Sequence, residues 1–83
     1  MLSPASTLAN LAPGRAGVVA CVLWDVLSVP EARRLRELGL DEGVTVELLH
    51  RSFLGGGPLA CRIGRMTIAL RRHVASAIHV AAD

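Results

Sequence analysis

The apolar positions of this chain change period along its length, and each change marks an element. Gly17-Val18-Val19-Ala20-Cys21-Val22-Leu23 is a β-branched, almost continuously apolar run, which predicts a strand buried on much of both faces. The spacing then lengthens. Ala32, Leu35 and Leu38 form a helical stripe, with Arg33, Arg34, Arg36 and Glu37 on the other faces. Alternation returns where Val44, Val46 and Leu48 interleave with Thr45, Glu47 and Leu49, predicting a half-buried strand that runs on towards His50 and Arg51. Residues 59–63 form the next strand, Met66, Ile68 and Leu70 alternate with Thr67 and Ala69 in the one after, and Ile78-His79-Val80 is the last. Five short strands with one helix inserted between the first two predict a mainly β fold, a small and strongly bent barrel. Closing such a sheet protects edges that an open one would expose.

The punctuation agrees with this division. Ser28 and Glu31 have the spacing of a capping box, and Pro30 falls in the first helical turn, where its missing donor costs nothing. Gly39 is placed to end the helix in the left-handed region, with Leu40 folding back over the last turn as in a Schellman motif. Pro13-Gly14, Asp41-Glu42-Gly43 and Gly64-Arg65 read as turns, Gly55-Gly56-Gly57-Pro58 as a flexible loop, and Arg71–Ala77 as a short turn. Thr7–Leu11 is expected to form a turn that packs Leu8 and Leu11 on the body, and residues 1–6 are expected to be loose.

Length and composition narrow the function more than the fold. The 83 residues are expected to form one domain, residues 1–83, with a modest stability margin. The chain is 52% hydrophobic but has only Trp24 and Phe53 as aromatics, so the core is aliphatic and few rings are available for stacking on bases or sugars. All nine basic residues are arginine, and the net charge is only +2, which argues against a nucleic-acid partner. There is no signal-peptide pattern and no apolar run near the ~20 residues that cross a bilayer, so the expectation is a cytoplasmic protein without membrane insertion.

Catalytic constellations are poor. No serine lies in a nucleophile elbow, and the absence of lysine removes both a P-loop and a Schiff base. Glu31 serves capping, Glu37 can pair with Arg33, and Glu47 should face solvent. The chain is therefore read as a non-enzyme with no cofactor. Its possible metal ligands are His50, His73, His79, Cys21, Cys61 and Asp83, but no two histidines have a spacing that places both on one metal. Cys21 and Cys61 read as small apolar residues. Adventitious zinc or nickel between two molecules, and weak homo-oligomers, are compatible with this pattern. What remains is surface: His50-Arg51, Phe53-Leu54 and Leu70-Arg71-Arg72-His73 could converge as an apolar patch rimmed by arginine, which is interface composition. The competing reading has Phe53 and Leu54 simply covering the barrel mouth.

Arg33-Arg34-Leu35-x-x-Leu38-Gly39-Leu40-x-x-Gly43-x-x-Val46 resembles the helix-and-turn signature of the ferrous iron transport protein A (FeoA) family. Arg51, Gly56-Gly57-Pro58-Leu59, Gly64, Ile68-Ala69-Leu70-Arg71 and Ile78 follow that family's order, and Leu8–Gly14 is similar to its usual start. The likeness spans about residues 8 to 81. One departure is Phe53-Leu54-Gly55-Gly56-Gly57-Pro58, which lacks the Pro and Asp of the family's usual loop, so no role resting on a loop carboxylate carries over. The resemblance implies an SH3-like barrel and an accessory, regulatory role in bacterial ferrous iron uptake. It also implies a partner, the cytosolic G-protein part of the membrane transporter FeoB. On that reading the candidate contact residues are Arg51, Phe53, Leu54 and Arg71, with Arg34 and Leu38 as second choice. The alternative is a metal-sensing SH3-like module, like the domain that ends iron-dependent repressors of the diphtheria-toxin type. An RNA-binding small barrel ranks third.

Overall fold

Six strands form one antiparallel sheet in the order β1-β6-β2-β3-β4-β5. The computed structural model describes residues 6–51 and 57–82. Along the chain the elements are β1 (Ser6–Thr7), β2 (Ala16–Val22), α1 (Val29–Glu37), β3 (Thr45–Arg51), β4 (Leu59–Ile63), β5 (Met66–Leu70), α2 (Arg72–Ala75) and β6 (Ile78–Ala82). Single helical turns at Leu8–Asn10 and Trp24–Val26 flank β2. The count differs from the five strands expected, because Ser6 and Thr7 pair with Val80 and His79. Two residues are too few for alternation to register, so β1 is invisible to pattern reading. The helix consequently lies between β2 and β3, and Ser6, expected to be loose, is a strand residue. Phe53, Leu54 and the start of the glycine loop lie outside the described residues.

Strand alternation supplies the core. Val46, Leu48, Leu59, Cys61, Ile63, Ile78 and Val80 point inward and are almost fully buried. They meet Leu8 and Leu11 from the N-terminal turn and Leu35 and Leu40 from the helical segment. Two bulges decide which residues reach this interior. In β2 the register shifts between Val19 and Cys21, so the buried positions change phase from Gly17 and Val19 to Val22. The strand thus buries one face with a slip, not the two faces that its continuous apolar run suggested. In β3 the register shifts between Leu48 and His50, after which Arg51 stands opposite Leu59. Directly paired residues share a face, so the bulge turns an arginine to the same side as a core leucine.

The helix forms for the reasons its ends announce. Ser28 Oγ accepts from the Glu31 N–H at 3.2 Å, and the Glu31 carboxylate accepts from the Ser28 N–H at 2.9 Å. At the other end Gly39 adopts φ 85°, its N–H bonds the Arg36 carbonyl, and Leu40 N–H bonds the Leu35 carbonyl. Those two bonds are the complete Schellman closure, and they place Leu40 fully inside the core. At the β4–β5 turn only Gly64 needs positive φ, at the first of the two central positions.

Candidate functional site

A groove of about 430 Å³ lies between α1 and the β5–α2 junction. Pro30, Glu31, Arg34 and Leu35 form one wall, and Ala69, Leu70, Arg71 and Val74 the other. Leu35, Leu70 and Val74 are buried and give it an apolar floor. Arg34 and Arg71 are exposed on its rim, and neither is in an ion pair with another described residue. Helical geometry sets one side: positions 30, 31, 34 and 35 recur on a single face at three- and four-residue spacing. The other side follows from the end of β5, where Leu70 completes the inward alternation and the chain turns directly into α2.

Among the described residues one side-chain hydrogen-bonding contact links the walls. Glu31 Oε2 meets His73 Nε2, joining α1 to α2 over 42 positions of sequence. The Ser28 N–H that Glu31 accepts, and then His73, hold its carboxyl below the usual carboxylate range. Glu31 therefore both caps its own helix and fastens that helix to the opposite wall. Sequence reasoning assigned only the first role, since nothing in a sequence brings position 73 to position 31.

The structure brings together two of the candidate contact residues, Arg34 and Arg71, which came from separate choices. Leu38 is half-buried at the end of α1 and does not line the groove. The Arg51 guanidinium is turned inward: Nε and Nη2 donate to the Ala9 carbonyl at 3.1 and 2.8 Å, and Nη2 also donates to the Leu11 carbonyl. It fastens the N-terminal turn to β3 and is only half-exposed. Phe53 and Leu54 lie outside the described residues. Arg36 stacks on Trp24, 4.2 Å from the ring centroid, and Glu47 pairs with Arg62 at 3.8 Å.

Among the described residues, no three His, Cys, Asp or Glu side chains converge as a metal site. Cys61 is buried, and burial pushes its thiol up to about 11, the opposite of what a nucleophile or metal ligand needs. No helix among the described residues is long and apolar enough to cross a membrane.

A mainly β chain whose six described strands form one antiparallel sheet, with a capped helix between the second and third, has the architecture of the SH3-like fold. The chain belongs to the FeoA domain family, whose sequence model matches residues 6–82. A solved FeoA from Stenotrophomonas maltophilia, complexed with zinc and described as a prokaryotic SH3 domain protein, is 36% identical. The match covers 89% of this chain and 87% of that one, with a TM-score of 0.75. The FeoA protein of Chlorobium tepidum is 29% identical over 92% of this chain and 69% of its own, with a TM-score of 0.77. A manganese-dependent transcriptional repressor in complex with manganese superimposes on all of this chain with a TM-score of 0.84 at 22% identity. This chain spans 39% of that repressor, and the likeness is one of fold. Among curated proteins none matches closely enough to count as a relative.

Proposed function

We propose that this chain is a non-enzymatic accessory protein of bacterial ferrous iron uptake, acting in the cytoplasm by docking onto the cytosolic G-protein part of a FeoB-type membrane transporter. Family membership supports the pathway, and the Stenotrophomonas relative is described as a candidate activating factor of ferrous iron transport. The observation that carries the mode of action is the groove: a buried aliphatic floor between two exposed arginines that form no ion pair with described residues. An acidic, apolar-tipped surface complements it, with the floor supplying burial and the rim supplying orientation and association rate. A regulator of this kind works by binding two states of its partner unequally. Arg34 and Arg71 are the first contact residues on this reading. Arg51 contributes by holding the N-terminal turn in place.

The test is binding of the purified chain to the cytosolic portion of the FeoB encoded by the same genome. The paired charge reversal Arg34→Glu with Arg71→Glu should weaken it by about tenfold or more while the fold is retained. Equal binding by wild type and double variant would remove the groove from consideration. No binding by wild type in any nucleotide state would remove the transporter.

A further inference from the structure

Among the described residues strand β5 is an edge of the sheet, with β4 on one side and no strand on the other. Its five residues, Met66-Thr67-Ile68-Ala69-Leu70, pair continuously with Ile63 back to Leu59, with no bulge. The two-residue turn at Gly64-Arg65 makes Ile63 and Met66 the first hydrogen-bonded pair, and such pairs alternate along an antiparallel ladder. Met66, Ile68 and Leu70 therefore aim their backbone groups at β4, while Thr67 and Ala69 aim theirs outward. No described residue supplies a backbone hydrogen bond to those outward groups. Proteins usually blunt such an edge with a charge, a proline or a bulge. β5 has none of the three, and Thr67 and Ala69 are exposed, small and uncharged.

The charges sit at the ends instead. Arg65 precedes the strand and Arg71 follows it, both exposed, and neither is in an ion pair with a described residue. This arrangement selects the occupant. In the fully overlapping antiparallel register of two copies, Thr67 would face Ala69 of the other copy and Arg65 would face its Arg71. That sets arginine against arginine at both ends, which is destabilising. A strand with carboxylates at both ends and an uncharged middle has the opposite balance in either direction. We propose that β5 accepts an extended segment of another protein by strand addition, uncharged across its centre and acidic at each end. Backbone hydrogen bonds to Thr67 and Ala69 supply the affinity, and Arg65 and Arg71 supply the selection. The groove shares Ala69 with this edge. The inference does not rest on the identity of the transporter partner.

The probe is a synthetic peptide of alternating valine and threonine with glutamates at both ends, titrated into the isotope-labelled full-length chain by NMR. A matched peptide ends in lysines. The expected result is downfield movement of the Thr67 and Ala69 amide signals with the glutamate peptide, and about tenfold weaker binding of the lysine peptide at low salt. Arg65→Glu with Arg71→Glu should invert that preference. Thr67→Pro should abolish binding with little loss of stability, because its N–H faces away from β4. Equal binding of both peptides, unmoved Thr67 and Ala69 amides, or concentration-dependent dimerisation through β5 would each overturn the proposal. Because FeoB is absent from this titration, its outcome is separate from that of the transporter-binding test.

Discussion

Arg51 holds Ala9, 42 residues earlier in the chain, with two of its N–H donors on one carbonyl oxygen. A third donor reaches Leu11, so a single guanidinium clamps the N-terminal turn that carries Leu8 and Leu11 into the core. The planar fork makes this possible, since its donors diverge at fixed angles towards neighbouring carbonyls. The bulge before His50 sets the direction of the side chain.

Arg51→Lys keeps the charge but loses the fork, because a single ammonium cannot reproduce the fixed in-plane donors. Hydrogen bonds from charged donors are worth about 1.5–3 kcal/mol, and a loss of that order is expected in urea unfolding. Unchanged stability in Arg51→Lys would show that the clamp is incidental.

The Glu31–His73 link predicts an acid-sensitive component of stability. A carboxyl held below its usual range in the folded state binds protons more weakly there than in the unfolded chain. Its contribution is complete above the ordinary carboxylate range and disappears as pH falls through the lowered folded value. Glu31→Gln should flatten the acid limb of the melting-temperature profile. His73→Ala should flatten it less, because the Ser28 N–H is the larger cause. Equal effects would mean that the helix cap contributes nothing to the acid response.

Gly17 lies on the inner face of β2, where a Cβ would collide with Val80 Cγ1 and stand 2.8 Å from the Ala81 carbonyl oxygen. The second of these is backbone and cannot rotate aside. Gly17→Ala should therefore destabilise the fold by about 1–3 kcal/mol through overpacking. Calorimetry is the measurement, and a neutral result would imply that β2 and β6 can separate locally.

The two cysteines should react in a fixed order. Cys61 is fully buried, with its thiol raised by burial, whereas Cys21 is half-buried. Iodoacetamide under native conditions should modify Cys21 first, with Cys61 reached only through unfolding. Peptide mapping by mass spectrometry reads the order, and early labelling of Cys61 would mean that β4 opens without global unfolding.

Local signals explain why much of the fold was legible. The capping box at Ser28 and Glu31, the Schellman closure at Gly39 and Leu40, and the turn at Gly64-Arg65 depend on residues within a few positions of one another. Alternation along β3 and β4 reports a half-buried face directly, because side-chain period and strand period coincide. The two bulges broke that correspondence. One extra residue shifts every later side chain to the other face, and neither Ala20 nor Leu49 carries a mark that distinguishes it from its neighbours.

Sequence alone therefore determined the helix and its ends, the aliphatic core, most of the strands and the family. These rest on short-range steric and hydrogen-bonding preferences, or on the order of motifs. Tertiary structure decided what those elements do for one another: β1 on β6, Arg51 turned inward, Glu31 fastened to His73, and Arg34 beside Arg71 on one groove. Each of these joins positions far apart in the chain, where only packing can set the distance, and periodicity carries no information at that range.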